Sequence, residues 1–259
     1  MSNGPSPARS RAIATRDPWD AWRDETRARV ALGRAGSSLP TSALLAFELD
    51  HARARDAVAQ ALDVDALDAD FKTLDFETLR ARSAAGDRAT YLLRPDLGRR
   101  LDDASRSALE RLTCDPCDVA FVVADGLSAR GVQGHAAALL AAAVPLLEGM
   151  TMGPIVIAEQ GRVALGDEIG SLLKARLVVV VIGERPGLTS PDSVGLYVTF
   201  APRIGRHDAE RNCISNVRPE GLPPAAAAAK LMWLVRASLR LGSSGVTLKD
   251  ESGLIDAPR

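Results

Sequence analysis

The chain has 259 residues, of which 46% are hydrophobic and 25% are charged, a balance typical of a globular protein whose core needs no disulfides. The formal net charge is −1 and acidic residues interleave the arginines, which argues against nucleic acid or an anionic membrane as a partner. Three cysteines, an odd number, and no hydrophobic stretch after the N-terminal arginines favour a reducing cytoplasm over secretion.

The first part of the chain is predicted to be helical. Residues 1–16 are rich in Pro, Ser and Arg and are predicted to form a disordered tail. Over residues 17–113 apolar residues recur near helical spacing, strand-like runs are few, and Pro40-Thr41 is a predicted helix start. We therefore expect a small helical domain over 17–113 and a second domain over 114–259.

The second domain is predicted to contain a parallel sheet. Continuous apolar strands that alternate with helices are typical of a parallel sheet covered on both faces. The predicted fold class is therefore α/β, with a Rossmann- or flavodoxin-like parallel sheet after a small helical domain. Helices are predicted over 131–147, 165–175 and 223–241, and the apolar strand-like runs cover 119–124, 155–158, 177–182 and 194–200.

Glycine and polar residues follow each of these four strands. In a parallel sheet the four segments lie at one edge, beyond the carboxyl ends of the strands, where open α/β sheets bind ligands. Glycine lets the backbone approach a bulky ligand, and Glu, Arg, Ser and Asn supply polar contacts. The sequence therefore predicts a binding site at this edge, formed by residues 125–128, 159–168, 183–187 and 201–213.

Common cofactor and catalytic motifs are absent from the sequence. It has no G-x-G-x-x-G after the first strand, no G-x-x-x-x-G-K-[ST] and no H-E-x-x-H. Cys114 and Cys117 have C-x-x-C spacing but lack further ligands nearby, so no metal site is predicted. Four carboxylates could serve acid–base chemistry but equally suit helix capping: Asp125, Glu159, Asp167 and Glu168. With no catalytic residue identified, the sequence favours a subunit that holds a cofactor.

Several long segments resemble one known family. They are DGLSA at 125–129, GRVALGDEIG at 161–170, GERPGL at 183–188, AERNCISN at 209–216 and SGVTLKD at 244–250. They occur in order and are densest after residue 118. On these motifs the chain resembles the small subunits of ethanolamine ammonia-lyase.

The resemblance implies an adenosylcobalamin-dependent enzyme that converts ethanolamine to acetaldehyde and ammonia, active only with a large subunit. It implies that this partner is a TIM barrel that binds ethanolamine, and that the cofactor lies between the two subunits of a hetero-oligomer. In the family, cofactor contacts fall on a valine, a glutamate and a cysteine within the motifs. On this chain those residues are Val163, Glu184 and Cys213.

Two other functions remain open on sequence grounds. One is a stand-alone flavodoxin-like protein that binds a flavin or nucleotide, although Asp125 would repel phosphate after the first strand. The other is a non-catalytic assembly subunit of another complex. Relatives that enter bacterial microcompartments have an extended N-terminus, whereas this one is short and contains Pro5 and Pro7. We expect a cytoplasmic protein and leave its encapsulation open.

Overall fold

A computed structural model describes residues 14–254, which contain seven α-helices and six strands. The strands are β1 (Thr78–Arg82), β2 (Cys117–Ala124), β3 (Ile155–Glu159), β4 (Ala175–Gly183), β5 (Val194–Phe200) and β6 (Arg211–Val217). The helices are α1 (Thr41–Ala59), α2 (Val64–Thr73), α3 (Arg88–Leu93), α4 (Asp103–Arg111), α5 (Ala129–Ala143), α6 (Leu165–Leu172) and α7 (Pro224–Leu241). None of these helices is both long enough and apolar enough to cross a bilayer.

The six strands form one mixed, mostly parallel sheet in the order β1-β3-β2-β4-β5-β6. Strands β1, β3, β2 and β4 pair in parallel, whereas β4 with β5 and β5 with β6 pair antiparallel. The α/β fold class is confirmed. The expectation that the fourth apolar run is also parallel is wrong, because the ten residues 184–193 that join β4 to β5 are too short for a crossover helix.

Strands β1 and β6 were not predicted from the sequence. Both lie at the edges of the sheet. Edge strands expose one side to solvent and tolerate polar residues, and the sequences TLRAR and RNCISNV accordingly show no continuous apolar run. The predicted helix start at Pro40-Thr41 is confirmed, because α1 begins at Thr41. The side chains of Asp63, Asp87 and Ser128 cap α2, α3 and α5.

The two faces of the sheet bury separate apolar clusters. On one face Phe121, Val179 and Leu196 pack with α2, α5 and α7. On the other, Val122 and Val180 pack with α4 and α6. This alternation along each strand is the two-residue period expected of a sheet covered on both sides.

The predicted domain boundaries differ from the compact units of the structure, which are Met1–Arg53 and Ala54–Arg259. Within the described residues, the region predicted to be helical contributes β1, which pairs with β3 and belongs to the sheet. Most of the predicted disordered tail, residues 1–13, lies outside the described residues. Within the first unit, Arg29 forms an ion pair with Asp50 at 2.5 Å and lies over the ring of Phe47 at 5.6 Å.

Candidate functional site

A groove with a volume of about 430 Å³ lies at the edge of the sheet where β2 and β4 end. Its residues come from α3, from the end of β4, from the segments after β2, β3 and β4, and from β5. They are Tyr91, Gly126, Leu127, Arg162, Val163, Ile182, Gly183, Glu184, Arg185 and Tyr197. Three of the four predicted segments therefore meet in one cavity.

Two glycines allow the segments after β2 and β4 to touch. Gly126 has a positive φ of 54°, a conformation that favours glycine. The N–H of Leu127 donates to the carbonyl of Gly183 at 2.9 Å. A Cβ on Gly183 would overlap the carbonyl oxygen of Ser128. Glycine is needed at both positions because the two backbones run in contact at the floor of the groove.

A buried carboxylate connects the segments after β2 and β3. Asp125 accepts hydrogen bonds from the N–H groups of Gln160 and Gly161, both at 3.0 Å, and Arg88 lies 3.4 Å away. Burial raises the pKa of Asp125 to about 6, although the two N–H donors and the Arg88 guanidinium oppose the rise. Arg88 also donates to the carbonyl of Gly126 at 2.8 Å. Asp125 and Arg88 thus hold the segments after β2 and β3 next to each other.

The guanidinium groups of two arginines lie near the ring of Tyr91. The Arg162 guanidinium lies 4.2 Å from the ring centroid and that of Arg88 lies 4.8 Å away. The Tyr91 hydroxyl donates to the carbonyl of Gly161 at 3.2 Å. Burial raises the pKa of Tyr91 to about 12, so the phenol keeps its proton near neutral pH. Helix α3 therefore fixes the start of the segment that carries Val163.

Glu184 reaches from the end of β4 across β5 to β6. Its two carboxylate oxygens accept from the N–H of Asn216 at 3.2 and 3.1 Å. A Cβ at Gly195 would come within 3.1 Å of Glu184 Oε1, so glycine on β5 leaves room for this side chain. No ion pair between Glu184 and Arg185 forms within residues 14–254. Val163 and Glu184, two of the three predicted contact residues, line the same groove.

Cys213 lies beside the groove rather than in it. It is an exposed residue of β6, directly opposite Tyr197 of β5, and its Sγ is 3.3 Å from Ser215 Oγ. Tyr197 lines the groove, and burial together with the neighbouring Cys213 raises the pKa of this phenol. The surface from Val163 and Glu184 to Cys213 is therefore continuous across Tyr197.

The segment after β5 lies at the opposite edge of the sheet. Because β5 is antiparallel to β4, its carboxyl end pairs with the start of β4, and the N–H of Ala201 donates to the Arg176 carbonyl at 2.8 Å. The expectation that residues 201–206 belong to the binding edge is wrong for this reason. Cys114 and Cys117 also lie at that opposite edge, each with its sulfur 3.9 Å from the carbonyl oxygen of Leu173.

Two of the remaining candidate carboxylates have structural partners. Asp167 forms a bidentate ion pair with Arg211, both contacts at 2.6 Å. Burial raises the pKa of Asp167 while Arg211 opposes the rise. Glu168 accepts from the N–H of Leu101 at 2.9 Å and from Arg106 Nε at 2.7 Å. These contacts hold α6 to β6 and α4, away from the groove.

Neither Tyr91 nor Tyr197 was predicted from the sequence to be a groove residue. Tyr91 is on α3, in the region that composition assigned to a helical domain, and no motif connects it with the strand ends. Tyr197 is a half-buried position inside the mostly buried strand β5. That interruption of an apolar run was a usable signal, because a tyrosine within such a run commonly places its hydroxyl at a polar boundary.

Comparison with known proteins gives consistent matches along the chain. Residues 16–249 match the family described as ethanolamine ammonia-lyase light chain (EutC). The ethanolamine ammonia-lyase small subunit of Azotobacter vinelandii is 55% identical over 247 residues, covering 93% of this chain and 92% of that protein. Those of Bradyrhizobium diazoefficiens and Ralstonia nicotianae are 55% and 54% identical, covering 89% and 96% of this chain and 89% and 94% of their own lengths.

Proposed function

The chain belongs to the family of ethanolamine ammonia-lyase small subunits, and on this premise we propose that its groove binds adenosylcobalamin at the contact with a large subunit. Membership makes the chain one part of a carbon–nitrogen lyase that acts on ethanolamine, with a large subunit as its partner. When bound, adenosylcobalamin would supply the radical chemistry by which ethanolamine yields acetaldehyde and ammonia.

The observation that carries the proposal is that Val163 and Glu184, from different segments, line one groove. The groove residues fit the rim of a corrin ring, which combines apolar edges with amide arms. Val163, Leu127 and Ile182 offer apolar surface, and the Glu184 carboxylate retains acceptor capacity beyond its contact with Asn216.

The exposed surface of β5 and β6 beside the groove fits a cofactor that is shared between two subunits. Tyr197 and Cys213 extend the groove along β5 and β6, where Cys213 is exposed. We assign Cys213 a contact role and no role as a cobalt ligand. Following the family resemblance, we assign substrate binding and the TIM-barrel fold to the large subunit.

The proposal is tested by substitution of Glu184 in the assembled two-subunit complex. Losing a hydrogen bond to a charged acceptor weakens binding by about 10- to 100-fold, so Glu184→Ala should raise the dissociation constant of adenosylcobalamin by that factor. The constant is measured by titration of the corrinoid visible absorption. Glu148→Ala is the matched control, since Glu148 is an exposed carboxylate near the start of β3 at the opposite edge. An unchanged dissociation constant in a folded Glu184→Ala complex contradicts the assignment.

A second experiment separates a subunit from a complete enzyme. The isolated chain, supplied with adenosylcobalamin and ethanolamine, should form no acetaldehyde, and addition of the large subunit should restore the reaction. Turnover by the isolated chain would show that the catalytic groups reside here after all. Tight binding of a flavin instead of a corrinoid, visible in the absorption spectrum, would favour the flavodoxin-like alternative.

A further inference from the structure

We propose that Arg162 binds the phosphodiester of the cofactor's nucleotide arm, an inference that rests on the proposed function and assigns one residue of the groove to one chemical group. Arg162 lines the groove directly before Val163.

The Arg162 side chain is held in place before any ligand arrives. Its guanidinium lies 4.2 Å from the centroid of the Tyr91 ring, and Nη2 donates to the Tyr91 carbonyl at 3.1 Å. Its backbone N–H donates to the carbonyl of Gly98 at 2.7 Å. A guanidinium that is already oriented loses little side-chain entropy when it binds an anion, so it binds more tightly than a free surface arginine.

The charge of Arg162 has no protein counterpart within residues 14–254. It takes part in none of the ion pairs found there, and its Nε is buried without a hydrogen-bond acceptor. The contrast is Arg88, which lies near the same tyrosine ring but is 3.4 Å from the Asp125 carboxylate. A partly buried guanidinium without an anion is unfavourable. A negatively charged ligand would therefore stabilise the charged Arg162 side chain.

The charges of the two ligands identify which group fits. Ethanolamine carries an ammonium group at neutral pH and would be repelled. The side arms of the corrin are neutral amides, and the phosphodiester of the nucleotide arm is the anionic group on the periphery of the cofactor. The planar fork of arginine donors matches the oxygens of a phosphate. The second arginine of the groove, Arg185, is exposed and is therefore less strongly oriented.

The test compares two corrinoids that differ in this arm. Cobalamin contains the nucleotide and its phosphodiester, whereas cobinamide has the same corrin ring without them. Dissociation constants of adenosylcobalamin and adenosylcobinamide are measured by visible absorption on the complex with the large subunit, using the wild-type chain and Arg162→Met. Methionine keeps an apolar stem near Tyr91 while removing the charge. We expect the cobalamin constant to rise by about 10- to 100-fold and the cobinamide constant to change by less than about threefold.

Three variants complete the design. Arg162→Lys keeps the charge without the fork and should lose less cobalamin affinity than Arg162→Met. Arg176→Met is the distant control, because Arg176 pairs with Asp118 at the opposite edge of the sheet; it should leave both constants unchanged. Arg185→Met tests the alternative arginine in the same groove. Circular dichroism of each complex verifies that the fold is retained.

The outcomes separate this inference from the proposed function. Equal weakening of both corrinoids by Arg162→Met would overturn the inference, since Arg162 would then contact the corrin or shape the groove. An unchanged dissociation constant of adenosylcobalamin in Arg162→Met would also overturn it. The same holds if Arg185→Met, and not Arg162→Met, selectively loses affinity for adenosylcobalamin. If the wild-type complex binds neither corrinoid, the proposed function itself is wrong.

Discussion

The two faces of the sheet are built differently at strands β5 and β6. On the face covered by α5 and α7, Leu196, Val198 and Ile214 are buried in an apolar cluster. On the face covered by α6, Tyr197 is half-buried and its neighbour Cys213 is exposed. Helix α6 packs on β4 and leaves β5 and β6 partly uncovered. One face therefore completes the apolar core of this chain, whereas the other leaves the groove and the strand pair β5–β6 partly exposed.

The interactions on the two faces also differ in kind. The face under α5 and α7 is stabilised by the burial of apolar side chains. The face under α6 additionally contains ion pairs made by buried carboxylates, Asp167 with Arg211 and Glu168 with Arg106. Arg211 is on the edge strand β6, where α6 provides little apolar cover. Its ion pair with Asp167 connects this strand to α6.

The largest effect is expected from breaking the ion pair between Asp167 and Arg211. Their side chains are 1% and 2% exposed. Removal of one member of such a pair leaves the other charged and buried, which typically costs about 3–5 kcal/mol. Asp167→Asn should therefore lower the free energy of unfolding by that amount, measured by urea denaturation.

The same arginine supplies the control for that experiment. Arg211 also lies 3.5 Å from Asp208, whose side chain is 97% exposed. Exposed ion pairs contribute about 0–1 kcal/mol, so Asp208→Asn should have little effect. If Asp167→Asn lowers the free energy of unfolding as little as Asp208→Asn does, the α6 face does not depend on the buried pair.

The sequence predicted the centre of the sheet better than its edges. Strands β2, β3 and β4 are continuous apolar runs and were identified, whereas the polar edge strands β1 and β6 were missed. Strand direction was beyond what an apolar run can reveal, because residues buried on both faces look alike in parallel and antiparallel strands. The absence of a helical segment between β4 and β5 was the signal that would have revealed it.

The candidate site was predicted in part for the same reason. Val163 and Glu184 follow central strands and line the groove, whereas Cys213 follows β5, whose direction is reversed, and lies within β6. The contribution of Tyr91 depends on β1, which brings α3 to the sheet. A residue whose position is set by long-range strand pairing leaves no local pattern in the sequence.

A second prediction tests the cost of burying Asp125 at the groove. Because its pKa is raised from 3.8 to about 6, the native carboxyl holds its proton more tightly than the unfolded one. Its contribution to the free energy of unfolding is therefore full below about pH 4 and is lost as the pH rises through about 6. The loss is at most about 3 kcal/mol.

Asp125→Asn has no proton to lose in this range, so urea denaturation between pH 4 and 7 should show a weaker fall in stability than in the wild-type chain. Other carboxyl groups contribute equally to both proteins, and the difference between the two profiles isolates Asp125. Identical profiles would show that the two N–H donors and Arg88 fully offset its burial.

A third prediction concerns the strand pair β5–β6. Exposed Cys213 should react with iodoacetamide in the isolated chain on the order of a hundredfold faster than Cys117, which must wait for local opening. Burial also raises the pKa of Cys117, lowering its thiolate fraction. Peptide mapping by mass spectrometry measures both rates. In the cofactor-loaded complex Cys213 alone should become protected; unchanged labelling there would mean that β6 remains uncovered in the assembled enzyme.

The smallest effect should come from one added methyl group on each face. Gly134 of α5 is exposed with open space around it, so Gly134→Ala should raise the free energy of unfolding by about 0.5–1 kcal/mol through helix propensity. Gly166 of α6 packs on β4, and a Cβ there would overlap the side chain of Val180. The same propensity gain is outweighed by overpacking, so Gly166→Ala should lower the free energy of unfolding by about 1–2 kcal/mol. Urea denaturation midpoints of the two variants, measured together, test this prediction. If both alanine substitutions stabilise the chain, α6 can move away from the sheet at little cost. The close contact between Gly166 and Val180 would then not be what fixes the position of α6.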